Sequence, residues 1–328
     1  MSNLEAVPQE LLCPSNPGAV EVLEPRSVPL GGPRAMTVRR TLPQRSRSLI
    51  GAWCFVDHYG PDDVAATGGM AVPPHPHTGL QTVTWLFTGQ VEHADSAGYH
   101  AIVRPGELNL MTAGRGISHS EYSTADTTVL HGTQLWVALP DGSRFVDPGF
   151  EHYAPTPVSI PGAAVSVFLG TLAGQMSPVR TYTPLVGAEV VLDAGASATF
   201  ELDPAFEHGF LVDSGELSVA GQGLGYGELG YVGPGRPEVT LAAGSEPVRL
   251  LIIGGTPLGE SIVMWWNFVG RTHEEIVAFR EAWQEEIAAT GRAGDAEPLF
   301  GLPADQSDAP LPAPGLPSVT LRPRINPN

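Results

Sequence analysis

The sequence predicts an all-β chain built as two tandem barrels with one short helix near the C-terminus. Three observations carry this. The 39 Gly and 32 Pro among 328 residues break every apolar stretch into short pieces, as tight turns between strands require. Runs dense in Val, Leu, Thr, Trp and Phe recur in two sets with similar spacing. The length itself predicts about two domains at roughly 150 residues each.

Residues 1–30 are Pro-rich with little periodic pattern and read as a leader on the surface, the regular fold beginning near Met36. A first barrel over 31–150 takes the runs Gln81–Thr88, Ala101–Arg104, Glu107–Met111 and Thr133–Leu139. A second over 151–270 takes Ala164–Leu169, Glu189–Leu192, Ala198–Leu202, Phe210–Val212, Glu216–Val219 and Val248–Ile253. Thr272-His273-Glu274-Glu275 has the form of a capping box, in which the Thr and Glu side chains satisfy each other's exposed backbone donors. Ile276, Phe279, Trp283 and Ile287 follow at helical spacing and Gly291 is a stop, so a helix is expected over 271–291. Eight prolines from Pro298 to Pro327 leave 292–328 as an extended tail.

The formal charge is −18, and all 17 basic residues are Arg. Such a balance repels phosphate backbones and anionic lipid, so neither direct nucleic-acid binding nor a membrane role is expected. The acidic first ten residues lack the form of a secretory signal, which leaves the cytoplasm as the expected location. Cys13 and Cys54 are too few for a disulfide framework and read as reduced thiols.

The chemistry concentrates between Gly69 and Glu121. His75-Pro76-His77 and His119-Ser120-Glu121 each place two metal-ligating side chains at i and i+2, which share one face of a strand with Cα atoms about 6.6 Å apart. If the two segments are neighbours, three imidazoles and one carboxylate meet at one point with open positions left over. A lone pair of this kind is more often structural; two pairs favour a metal site. The nitrogen and oxygen donors suit one divalent transition metal, iron(II) first, with zinc, copper, nickel and manganese also compatible.

Gly69, five residues, then His75-x-His77, and later Gly116-x-x-His119, resemble the two halves of the cupin signature. Longer blocks resemble the pirins, a bicupin family. These are Val38-Arg39-Arg40 with Leu42-Pro43, Phe55-Val56-Asp57-His58, His75-Pro76-His77 with Gly79, Met111-Thr112-Ala113-Gly114-Arg115-Gly116-Ile117, and Gln134-Leu135-Trp136-Val137. The match is dense over 36–140 and weaker through the second barrel to Gly254-Gly255-Thr256-Pro257 and the helix.

The resemblance implies two double-stranded β-helix (jelly-roll) barrels and one metal held by His75, His77, His119 and Glu121. It also implies quercetin 2,3-dioxygenase activity, which opens the central ring of a flavonol with O2, and a catalytic role for Glu121 as the base that takes the flavonol 3-hydroxyl proton. The alternative it implies is an iron-dependent, redox-sensing regulatory protein that acts through a protein partner. Gln81 stands where many cupins carry Glu and cannot act as a base. The second barrel has one His, His208, and no paired motif, so it is expected to be metal-free.

Several other residues have plainer expected roles. His58 and His131 read as turn residues or hydrogen-bonding groups behind the ligands, and His93 and His100 as exposed loop residues. Arg115, just before His119, is a candidate wall of the site. Arg34, Arg39, Arg40, Arg45 and Arg47 are expected to pair with carboxylates. Trp53, Phe55, Trp85 and Trp136 read as core, with a minority lining a cavity, and of adjacent Trp265 and Trp266 one should face in and one out.

Overall fold

The computed structural model describes residues 19–29, 36–289, 298–304, 308–324 and 326. Cys13, Arg34 and Gly291 lie outside them. Four antiparallel sheets stack as successive layers. The first is a four-stranded sheet in the order Ala71–His77, Ile117–Ser123, Val91–Asp95, His100–Val103, here called the ligand sheet after its candidate metal ligands. It faces a seven-stranded sheet ordered Gly149–Tyr153, Leu108–Thr112, Leu80–Thr88, Val129–Ala138, Trp53–Asp63, Thr37–Leu42, Arg26–Pro29. Together they form the first barrel.

The second barrel repeats the scheme. Its seven-stranded sheet runs Glu21–Leu23, Leu229–Val232, Glu207–Ser214, Val248–Gly255, Leu185–Leu192, Ala163–Leu169, Val158–Ile160, and its four-stranded sheet Ser197–Glu201, Glu238–Ala243, Leu217–Val219, Gln222–Leu224. The two seven-stranded sheets lie back to back, and the alternate residues between them form one apolar seam that includes Trp53, Val83, Trp85, Leu110 and Leu135 from one side and Phe168, Leu211, Leu251 and Ile253 from the other. Full burial of each such side chain stabilises the pair by roughly 1.5–3 kcal/mol.

The leader is not a surface drape where it is described. Glu21–Leu23 pairs with Leu229–Val232 at the edge of the second barrel, and Arg26–Pro29 pairs with Thr37–Leu42 of the first. Four residues of pairing are enough to satisfy backbone groups that propensity left unassigned.

The helix runs His273–Ala289. Thr272 Oγ1 accepts from Glu275 N–H at 3.2 Å, but the Glu275 carboxylate turns back one residue further than a capping box requires, to Arg271 N–H at 2.7 Å, and pairs with Arg144. Ile276 and Trp283 are buried beside Phe268 and Phe300. Glu286 then accepts from the backbone N–H groups of Leu299, Phe300 and Gly301, and Trp283 Nε1 donates to Leu311 O at 2.8 Å. The described tail is extended, as its prolines predict, and lies on the outer face of the ligand sheet. Ser118 donates to Gly301 O, Ser96 to Phe300 O, and Leu311 N–H to Pro74 O. Trp265 and Trp266 depart from the expected in-and-out pair: Trp266 sits at φ 51°, and both rings pack near Phe268. No helix among the described residues is long and apolar enough to cross a membrane.

Candidate metal centre

The two sequence motifs lie on adjacent antiparallel strands, with His119 directly opposite His75. The ladder slips between His119 and Glu121, where Pro73 and Pro74 have no N–H to give. Above the slip, the rings of His75, His77 and His119 make a triangle with centroid separations of 5.0, 4.4 and 5.0 Å. Below it, Glu121 is paired across the strand with His93 instead. Its carboxylate groups with His93 and His119, whereas His75, His77 and His119 form a group of their own.

Hydrogen bonds settle the tautomer of each ring. His75 Nδ1 lies 2.9 Å from Pro73 O and His77 Nδ1 3.1 Å from Asn267 O. A carbonyl only accepts, so both Nδ1 atoms carry the proton and both Nε2 atoms carry a lone pair. His119 Nδ1 faces His93 Nδ1 at 3.3 Å, and His93 Nε2 faces Asp95 Oδ2 at 3.1 Å. The other oxygen of Asp95 accepts from the N–H groups of Ala97 and Tyr99. With His93 neutral, its Nε2 donates to Asp95 and its Nδ1 accepts from His119, which leaves His119 Nε2 with its lone pair as well. His77 Nε2 and His119 Nε2 then stand 3.1 Å apart with no proton between them. That contact is repulsive as it stands and favourable around a cation, so the residues present fit a divalent transition metal.

Burial reinforces this. It lowers His75 to about 4 and His77 and His119 well below the usual imidazole range, keeping all three neutral. Burial pushes Glu121 the other way, above the ordinary carboxylate range. Thr84 Oγ1 lies 3.0 Å from Gln134 Oε1 and 3.4 Å from Glu121 Oε1. The Thr84 hydroxyl, shared with Gln134, opposes the burial by donating to the carboxylate, but burial dominates.

The remaining expectations divide. His93 is the main correction: it is buried in a strand, not exposed in a loop. The signal was present, since Asp95 stands at i+2 on the same strand face. His100 is exposed and pairs with Glu92. His58 and His131 bond to no ligand residue; both Nε2 atoms meet Asp213 Oδ1 of the second barrel, at 2.8 and 2.6 Å, in the seam. They hold Asp213 far below the usual carboxylate range. Arg115 pairs with Asp147 on the surface and walls nothing. Arg40 grips Asp57 with two bonds of 2.7 Å and Arg47 reaches Glu21 and Glu207, as expected, while Arg39 bonds His58 Nδ1 and Gly60 O. Gln81 donates to Thr112 on the face turned from the ligands. Trp53 and Trp85 are seam core, whereas Phe55 and Trp136 stack at 4.0 Å inside the barrel with Trp136 edge-on to His77. Cys54 is buried and free.

Two facing-sheet barrels with an imidazole cluster inside the first define a bicupin with a candidate metal centre in that barrel; a second His/Asp group, His58, His131 and Asp213, lies in the seam. The chain belongs to the pirin family. The pirin family profile matches residues 35–137 and that of the pirin C-terminal cupin domain residues 187–288. A Pseudomonas aeruginosa protein provisionally named a quercetin 2,3-dioxygenase is 44% identical over 268 residues, 81% of this chain and 84% of that one. A pirin-like protein of Caulobacter vibrioides is 33% identical over 259 residues, 75% of this chain and 88% of that one. The crystal structure of an Acinetobacter baumannii quercetin 2,3-dioxygenase superposes with a TM-score of 0.85 at 38% identity, covering 93% of this chain and 97% of that one.

Proposed function

We propose that the protein is a metal-dependent dioxygenase of the quercetin 2,3-dioxygenase type, with His75, His77, His119 and Glu121 as the residues that hold iron(II). The observation that carries this reading is the convergence of three neutral imidazoles, lone pairs inward, beside a carboxylate of raised proton affinity. The names carried by the Pseudomonas and Acinetobacter relatives support it. A divalent metal bound there supplies an electron-accepting centre at which an enolic oxygen and O2 are brought together.

The chain's own residues do the rest. Glu121, set apart from the three imidazoles by the slip in the ladder, takes the flavonol 3-hydroxyl proton, and its burial supplies the basicity that this needs. Trp136, backed by Phe55 and edge-on to His77, is the aromatic group beside the centre against which a planar ring system can pack. The chain of His119, His93 and Asp95 keeps one ring turned inward.

Oxygen uptake by iron(II)-loaded protein with quercetin tests the reading, beside His119→Ala and Glu121→Gln. Uptake is expected to vanish in the first together with bound metal, and to fall by at least about a hundredfold in the second with part of the metal retained. Stoichiometric iron without uptake in the natural chain would turn the reading toward the redox-sensing alternative.

A further inference from the structure

On the three strands that face the ligand sheet, accessibility alternates. Gln134, Thr84 and Asn109 retain 8, 5 and 3% of their surface, while Leu135, Val83 and Leu110 beside them retain none. The second set faces the seam; the first faces the imidazoles, as the Thr84 to Glu121 contact fixes. Trp136 and Glu121, also inward, keep 6% each. Asp57 on the same inward row retains none, so the accessible surface of this face is confined to Gln134, Thr84, Asn109, Trp136 and Glu121, around the candidate ligands.

The inward residues at this level are polar in register. Asp57 is opposite Gln134, Gln134 opposite Thr84, and Thr84 opposite Asn109. Their hydrogen bonds leave a particular remainder. Gln134 Oε1 is engaged by the Thr84 hydroxyl, and Asn109 Oδ1 by His152 Nδ1 at 3.1 Å. Asn109 Nδ2 is buried without any partner. No hydrogen bond among the described residues engages Gln134 Nε2. Two carboxamide NH2 groups are thus left over on the wall opposite the imidazoles: that of Gln134 at the accessible surface the residue keeps, and that of Asn109 fully buried, where an unpaired donor costs about 1–3 kcal/mol.

We propose that Gln134 and Asn109 are specificity-determining residues, which donate to the oxygen atoms of a planar, multiply oxygenated aromatic ligand held between this wall and His75, His77 and His119. The proposal deepens the dioxygenase reading and rests on its placing of the substrate at that centre. Acceptor oxygens on the ligand discharge the leftover donors, so ligands lacking them are rejected by the unpaired groups.

Binding to zinc-loaded protein under nitrogen tests this without turnover, with quercetin and catechol as probes, by calorimetry. Asn109→Leu and Gln134→Met are compared with the natural chain; both keep a side chain of similar shape while removing the donors. Metal stoichiometry and Tm serve as controls. Each variant is expected to bind one or both probes about tenfold more weakly with one zinc per chain retained. Equal binding by the natural chain and the variants overturns the proposal and leaves the dioxygenase reading intact. Catechol binding that the variants weaken, with no quercetin binding, sustains the donors and overturns the flavonol substrate. Binding of neither probe overturns both.

Discussion

The two barrels share a strand plan and differ in what their central strands turn inward. In the first, the register row through Trp53–Asp63, Val129–Ala138 and Leu80–Thr88 reads Asp57, Gln134, Thr84. In the second, the strands in the same places of the sheet order give Val190, Leu250, Val212. The consequence runs through the whole interior. The second barrel has one continuous apolar cluster from Val165 and Val190 to Phe210, Val239 and Leu241. The first has two, one around Phe55, Met111 and Trp136 and another around Val38, Tyr59 and Leu86, with the polar row and the ligands between them. One barrel gives up part of its core to hold donors in place, and the other keeps a full core as a platform across the seam.

That contrast can be broken from the platform side first. Phe210 is wholly buried in the second barrel, and Phe210→Ala is expected to cost about 3–5 kcal/mol in urea unfolding while the folded fraction keeps one metal per chain. A loss of metal stoichiometry without a loss of stability would show that the barrels do not divide their tasks in this way.

Acid sharpens the contrast by acting on the ligand side. The folded chain holds His75 at about 4, below the ordinary 6.5. The unfolded chain therefore binds the proton first, and stability is full above about pH 6.5 and declines as pH falls toward 4. For His75 alone the decline amounts to about 3 kcal/mol. Metal-free protein should thus unfold at markedly lower urea at pH 5 than at pH 7.5, and His75→Gln should flatten that slope. An unchanged slope in the variant rules out His75 as its source.

The smallest effect is expected behind the ligands. His93→Phe keeps the ring volume and the stacking on Phe150 but removes the acceptor for His119 Nδ1–H. It should weaken zinc binding by about 10–100-fold with Tm nearly unchanged. Affinity equal to that of the natural chain would reduce His93 to packing.

The paired motifs made the two strands of the candidate centre legible, because i and i+2 spacing is a property of one strand and needs no knowledge of its neighbours. The helix was legible for the same reason, through Ile276 and Trp283. What escaped depended on pairing between distant segments. His93 meets His119 only through the alignment of Val91–Asp95 with Ile117–Ser123, and an imidazole with no imidazole beside it in sequence reads as a loop residue. His58 and His131 sit in pirin-like blocks near the ligands in sequence, yet strand alternation turns them to the opposite face, onto Asp213. The orphaned amide of Asn109 leaves no mark in the sequence at all.

The strand Glu21–Leu23 carries a consequence for synthesis. It leaves the ribosome before its partner Leu229–Val232, which is made roughly two hundred residues later, about 10–40 s at ordinary translation rates. The first barrel can close in that interval, whereas the N-terminal strand must wait. The outer edge of Leu229–Val232 is an open template until Glu21–Leu23 pairs with it, so a chain lacking Glu21–Leu23 is the form expected to self-associate, whereas one that keeps this strand has its edge covered.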